Sequence, residues 1–394
     1  MSGPLRTAAR IEHIAPFHVM ELLARAKQLE AAGRDIVHME VGEPDFPTPE
    51  PIVAAGHRAL EAGRTRYTPA LGIPELRAAI SGHYRDYYGA DVAPERIVVT
   101  PGGSGALLLA FGALLDPGDR VLLADPGYPC NRHFVRLFEG EPVALPVGPE
   151  EGYQLHAGRL LEAWDARTRA ALVATPSNPT GTLLDAGQLA ALCRAVESRD
   201  GMLLVDEIYH GLVYGAPEVT AATLSERVIV INSFSKFFGM TGWRLGWMVV
   251  PPDLLRAVEK LAQNIYLAPS TPAQYAALAA FEPATRVLLE QRRTEFARRR
   301  DRLLPALRDL GFGIPVTPQG AFYLYADCSR FTDDSQELGR RLLEEAGVAV
   351  TPGIDFGEHR ATSHLRFAYT TSEARLDEGV RRIADLLAGL GGKT

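Results

Sequence analysis

Short apolar runs rich in β-branched residues alternate along the chain with stretches of helical periodicity. The runs cover residues 96–100, 120–124, 170–175, 202–205 and 228–231, and amphipathic patterns lie between them, at 105–115 and 188–198 among others. Near-continuous apolar strands alternating with helices predict a parallel sheet covered on both faces. Asp185 and Gln188 stand at capping-box spacing and mark the start of the second helix.

After Pro283 the pattern changes. A helix is predicted over 285–310, where Val287, Leu288, Phe296, Leu303, Leu304 and Leu307 recur at spacings of roughly three and four. Strand patterns follow at 321–326, 348–351 and 364–368, with helices at 335–346 and 373–390. Near the N-terminus a helix over 17–32 ends before Gly33 and leads to a strand at 36–41. The expected fold is α/β. A large domain with a mostly parallel sheet spans 45–284, and a smaller α+β domain is assembled from 1–44 and 285–394.

Composition narrows the function classes. The chain has 394 residues, 46% of them hydrophobic, enough for a substantial core, and a net charge of −7 spread along its length. That balance gives no electrostatic case for nucleic acid or an anionic membrane as partner. The densest basic stretch, Arg292, Arg293, Arg298, Arg299, Arg300 and Arg302, is interleaved with acids and reads as a solvated helix face. Cys130, Cys193 and Cys328 are odd in number and far apart, which favours a reducing compartment. No HExxH or CxxC spacing occurs, so no metal is expected. No signal-peptide core and no apolar run of the ~18 residues needed to span a bilayer is present, so a cytoplasmic location is expected.

The chemistry-bearing residues fall at the carboxyl ends of the predicted strands. Gly102-Gly103-Ser104-Gly105 follows the first, Tyr128 the second and Asn178-Pro179-Thr180-Gly181 the third. Asp206-Glu207-Ile208-Tyr209 ends the fourth, and Ser233-Phe234-Ser235-Lys236 follows the fifth. Each turn alone has an ordinary explanation, but all five share the edge where open α/β sheets bind ligands. Together the residue types fit pyridoxal phosphate. Gly103, Ser104 and Gly105 open a helix and offer N–H donors to a phosphate, with Arg244 and Ser233 as further ligands. Tyr128 can stack on the ring. Asp206 can keep a pyridine nitrogen protonated, and Asn178 and Tyr209 can bond a ring oxygen. Lys236 is the candidate Schiff-base former.

The run Ser233-Phe234-Ser235-Lys236-Phe237-Phe238-Gly239-Met240-Thr241-Gly242-Trp243-Arg244-Leu245-Gly246 resembles the cofactor-attachment signature of class I/II aminotransferases. Gly42-Glu43-Pro44-Asp45-Phe46, Tyr67-Thr68-Pro69, Gly320-Ala321-Phe322-Tyr323, Pro352-Gly353 with Phe356-Gly357, and Leu365-Arg366-Phe367-Ala368 agree with it. The resemblance covers roughly residues 10–390. It implies a pyridoxal-phosphate-dependent transferase of fold type I that moves an amino group from an α-amino acid to a 2-oxo acid. It implies that Lys236 forms the internal aldimine and then moves the Cα proton. Asp206 would pair with the ring nitrogen, and Asn178 and Tyr209 would bond the ring oxygen. Tyr128 would stack, and Gly103, Ser104, Ser233 and Arg244 would hold the phosphate. Tyr67 would reach the phosphate of a second subunit, making a homodimer with shared sites. Arg366 would bind the substrate α-carboxylate, helped by Asn178 and the Gly42 backbone.

A carbon–sulfur β-lyase on the same fold would keep Lys236, Asp206 and Arg366 and is the alternative reading. The stretch Gly239 to Arg244 looks more like the aminotransferases. A cofactor-sensing transcription regulator would carry a DNA-binding domain before the enzyme-like region, and nothing basic precedes it here. Side-chain specificity is expected from residues 14–19, 67–71 and 264–270, and the first of these, with Pro16 and Phe17, is apolar. Alanine, aromatic amino acids, aspartate and glutamate all stay open as donors, with pyruvate or 2-oxoglutarate as acceptor.

Overall fold

A computed structural model describes residues 5–389. In chain order its strands are β1 (Val37–His38), β2 (Ile97–Thr100), β3 (Arg120–Asp125), β4 (Glu141–Pro146), β5 (Thr168–Ala174) and β6 (Met202–Asp206). They continue as β7 (Val228–Ser233), β8 (Gly246–Val249), β9 (Tyr323–Asp327), β10 (Val348–Ala349), β11 (Thr351–Pro352) and β12 (His364–Ala368). The five apolar runs are thus β2, β3, β5, β6 and β7. They sit in one seven-stranded sheet of order β2-β8-β7-β6-β5-β3-β4. Only β8 is reversed: it is antiparallel to both β2 and β7, and the other pairings are parallel. Six strands therefore deliver their carboxyl ends to one edge.

The inner strands are largely apolar because both faces are covered. Along β7, Val228 and Val230 enter one core while Ile229 and Ile231 enter the other, as the two-residue period of a strand requires. Helices α1 (His18–Ala31), α2 (Glu50–Glu61), α3 (Pro74–His83), α4 (Gly102–Leu114), α5 (Cys130–Leu137) and α6 (Ala157–Ala163) precede α7 (Ala186–Glu197). The Asp185–Gln188 capping box starts α7 as predicted. Then come α8 (Leu255–Ile265), α9 (Thr271–Leu278), α10 (Pro283–Leu310), α11 (Ser335–Arg341) and α12 (Glu373–Gly389).

Two smaller sheets lie outside the large one: antiparallel β11-β12-β9, and the parallel pair β1-β10. The strand expected over 36–41 shortens to two residues. Met39 still donates to the Ala349 carbonyl, but its own carbonyl accepts from Ala368 N, in the other small sheet. The expected helix over 335–346 widens into a π turn from Leu342 to Ala346.

The arginine run on α10 is only partly the solvated face expected: Arg298 and Arg302 are exposed, whereas others turn inward. Arg299 is only 3% exposed. Its guanidinium bonds Glu295 Oε1 at 2.9 Å and Asp45 Oδ1 at 2.8 Å, and with Arg292 it flanks the Phe46 ring. Positions 292 and 299 are two helical turns apart, so both face the segment after β1, which brings its own acid and aromatic ring.

Candidate active site

The carboxyl-end edge of the large sheet, the three-stranded small sheet and the start of α1 enclose a cavity of about 280 Å³. Its lining contains Gly42, Gly103, Ser104, Tyr128, Asn178, Asp206, Tyr209, Ser233, Lys236, Arg244 and Arg366. Of the residues singled out from sequence, Gly105 lies one residue past the lining and Tyr67 is elsewhere, 84% exposed.

Lys236 sits on a loop fixed from below. Phe234 exchanges backbone hydrogen bonds with Leu245 and Met240, and its buried ring packs against Trp247 and Phe238. Lys236 Nζ donates to the Gly42 carbonyl at 2.7 Å. A side chain at Gly42 would stand 1.7 Å from Tyr323 Oη, so only glycine allows this approach. Burial pushes the Lys236 amine down to about 8. Glu43 and Asp206 oppose the fall, while Arg366 and Arg244 add to it.

Asp206, at the end of β6, is buried and accepts Ile208 N–H at 3.1 Å. Burial raises its carboxyl to about 6, with the Ile208 N–H and Lys236 pulling the other way. Tyr209 and Tyr323 share a hydrogen bond of 2.8 Å. Arg366, central in β12, donates to Asn178 Oδ1 at 2.9 Å, to Thr351 Oγ1 at 3.2 Å and to the Glu40 carbonyl. Its guanidinium lies 4.3 Å from the Tyr323 ring and 4.7 Å from Phe356, and its Nε is buried without a partner.

At the other end α4 begins on Gly102, whose φ is +71°. A Cβ there would meet Arg244 Nη2 at 2.7 Å, so the glycine lets the guanidinium lie against the helix start. Ser233 Oγ accepts Ser235 N–H at 3.1 Å beside it. A phosphate fits this cluster of cation, hydroxyl and helix N–H groups. A protonated ring nitrogen fits Asp206, which no ion pair reaches among the described residues. The donor set therefore suits pyridoxal phosphate.

Sequence reasoning left several lining residues without a role. Tyr323 stood in a quoted motif, but its hydroxyl meets Tyr209 from 114 residues away. Glu43 accepts from Thr241 Oγ1 at 2.6 Å, closing the mouth between two distant motifs. From the expected specificity stretches, Phe17 and Val19 line the cavity, joined by Met20, while 67–71 and 264–270 do not.

A lysine at the carboxyl edge of a mostly parallel sheet, opposite a buried aspartate and an arginine from a flanking sheet, defines a pyridoxal-phosphate enzyme of fold type I. More narrowly, the chain belongs to the aminotransferase class I and II family, which matches residues 34–383. It is 42% identical over 376 residues to a valine–pyruvate aminotransferase of Mycobacterium tuberculosis, covering 95% of this chain and 97% of that one. It is 39% identical over 381 residues to an aspartate/prephenate aminotransferase of Thermus thermophilus, covering 96% and 98%. A solved aminotransferase structure from Mycobacterium tuberculosis superimposes with a TM-score of 0.95 at 41% identity, over 98% of this chain and all of that one. The activity is pyridoxal-phosphate-dependent transamination.

Proposed function

We propose that this cavity is the transamination site, with a neutral, apolar α-amino acid as donor. The observation that carries the reading is that Lys236, Asp206 and Arg366 line one cavity. Bound there, pyridoxal phosphate supplies an electron sink for the Cα–H bond of the amino acid joined to it. Lys236 would hold the cofactor and, once displaced, would be the base that moves the proton from the substrate Cα. Its depressed basicity keeps a fraction of the amine neutral near physiological pH, as proton abstraction requires. Asp206 holds the proton on the ring nitrogen, and Asn178 and Tyr209 donate to the ring oxygen. Tyr128 stacks on the ring. Arg244, Ser233 and the Gly103–Ser104 backbone bind the phosphate. Arg366, Asn178 and the Gly42 backbone bind the substrate carboxylate.

The cationic side chains of the lining are Lys236, Arg244 and Arg366, and each already has a task. Phe17, Val19, Met20 and Val41 supply an apolar wall, and Glu43 would repel a second carboxylate. This favours the substrate type in the valine–pyruvate relative's name over that in the aspartate relatives' names. Borohydride reduction of the holoenzyme followed by peptide mapping tests the assignment: the pyridoxyl label is expected on Lys236, and a label elsewhere would overturn it. A donor panel against pyruvate and 2-oxoglutarate tests the substrate class, and aspartate as best donor would refute it.

The remaining proposals concern assembly. A large domain of 45–284 accords with the seven-stranded sheet lying between residues 97 and 249, and a small domain of 1–44 with 285–394 accords with the other strands falling outside it. Tyr67, exposed here, acts on the phosphate of a partner subunit in a homodimer. Mixing Tyr67→Ala with Lys236→Ala subunits tests this. Sharing places both lesions in one site of the hybrid and leaves the other intact, so activity recovers above either parent. No recovery despite subunit exchange would rule sharing out. Three free cysteines accord with a cytoplasmic setting, and among the described residues no helix is long and apolar enough to cross a membrane.

A further inference from the structure

We infer that Asp355 is a positioning residue for the substrate side chain, holding the first turn of α1 in place as the apolar wall of the pocket. The inference rests on the reading of that pocket as the transamination site. Asp355 is 1% exposed and is not among the lining residues, so it acts through what it holds.

The first backbone N–H groups of a helix have no partner within it. In α1 the residue before the helix is Phe17, which supplies no side-chain cap. Asp355 supplies one from 337 residues away: Oδ1 accepts His18 N–H and Oδ2 accepts Val19 N–H, both at 3.3 Å. A carboxylate at a helix start is favoured further by the helix dipole. The turn so held carries Phe17, Val19 and Met20, three of the lining residues. Phe17 meets Tyr128 edge-on at 6.1 Å, Val19 is buried, and Met20 stays 53% exposed.

Asp355 is in turn anchored to both sides of the cavity. Its carbonyl accepts Arg132 Nη2 of α5 at 2.8 Å. The next residue, Phe356, lies under the Arg366 guanidinium, and its carbonyl accepts Gly127 N–H at 2.9 Å, one residue before Tyr128. Two residues further on, Glu358 N–H and His359 N–H donate to Asp125 Oδ2 at the end of β3. One short segment thus fixes the α1 wall relative to the carboxylate-binding arginine and the ring-stacking tyrosine. The distance between the wall and the Arg366 guanidinium sets how much side chain fits.

The test compares donors on the holoenzyme. Alanine presents the least surface to the wall and valine more. Asp355→Ala frees the two N–H groups to water. The valine-to-alanine ratio of kcat/KM is expected to fall about tenfold, the scale of a misfitted methyl group or two, chiefly through the KM for valine. Asp355→Asn keeps one acceptor and is expected to recover part of the ratio. Because Asp355→Ala could fail to fold, Asp355→Asn is also combined with Phe17→Ala. If Asp355 acts through the wall, the two losses in ratio are less than additive. An unchanged ratio, an equal loss for both donors, or strict additivity would each overturn the inference. A wild-type holoenzyme that accepts no amino acid would instead overturn the transamination reading.

Discussion

The two sides of the cavity are built on different principles. On the large-sheet side, every functional group stands within a few residues of a strand end: Ser104 after β2, Tyr128 after β3, Asn178 after β5, Asp206 in β6 and Lys236 after β7. On the small-sheet side, Arg366 is held by Thr351 of the adjacent strand and by Asn178 and Glu40, and the α1 wall by Asp355, the last three joined across large sequence separations. On the reading proposed above, the first side would hold the cofactor. The second would bind the substrate, and it joins the first through hydrogen bonds that include Lys236 to Gly42, Arg366 to Asn178, Thr241 to Glu43, Tyr209 to Tyr323 and Gly127 to Phe356. On that reading the cofactor chemistry is carried by residues near strand ends, and selection by groups held through long-range contacts.

The largest effect should come from the large-sheet side. Lys236→Ala is expected to lower transamination by a factor on the order of 10⁴ or more, because on the proposed reading its amine is both anchor and proton carrier. The variant should still bind the cofactor through Arg244, Ser233 and Asp206 while losing the visible absorbance of the lysine-linked form. Turnover within tenfold of wild type would break the assignment. Next is Asp206→Asn, expected to cost about 10²–10⁴-fold in kcat, since an unprotonated ring is a poor electron sink. Single-turnover stopped-flow reads the Cα proton step directly, and a wild-type rate there would show that another group holds the ring nitrogen.

The small-sheet side should respond more mildly. Arg366→Lys keeps the charge but loses the planar fork and its stacking between Tyr323 and Phe356. A loss of about 2–4 kcal/mol in kcat/KM is expected, with cofactor absorbance unchanged. A kcat/KM within threefold of wild type for every donor would show that the carboxylate is bound elsewhere.

The same contrast explains what the sequence made legible. Lys236, Asp206 and Asn178 could be assigned because each follows an apolar run directly, and a strand buried on both faces is conspicuous. β4 and β8 were missed for opposite reasons. β4 is an edge strand with Pro142 and Pro146 and only Leu145 buried, so it lacks the apolar signal. β8 is fully buried but is four residues long and adjoins the lysine motif. Arg299 was misread because its partner Asp45 is 254 residues away. Asp355 gave no signal for the same reason: a cap supplied across 337 residues has no spacing to recognise.

The smallest expected effect turns the comparison onto one residue. In the cofactor-free chain, burial raises the Asp206 carboxyl to about 6 from an ordinary 3.8. The unfolded chain therefore loses this proton first, and between those values the native state binds more protons. Stability falls as pH rises through that window, and the full penalty is present above about 6. The neighbouring Glu207 points instead into the core, where Thr220 Oγ1 and Ala221 N–H bond it and His210 faces it. Asp206→Asn cannot ionise and keeps an oxygen for Ile208 N–H. The cofactor-free variant should thus melt higher than its parent at pH 8, by roughly 2–5 °C, and the gap should close towards pH 4. In the holoenzyme the sign should reverse, because the variant loses the pairing with the protonated ring. A cofactor-free variant that melts below its parent at pH 8 would mean that the chain itself neutralises Asp206, and that the carboxylate is not held ready for a ring cation.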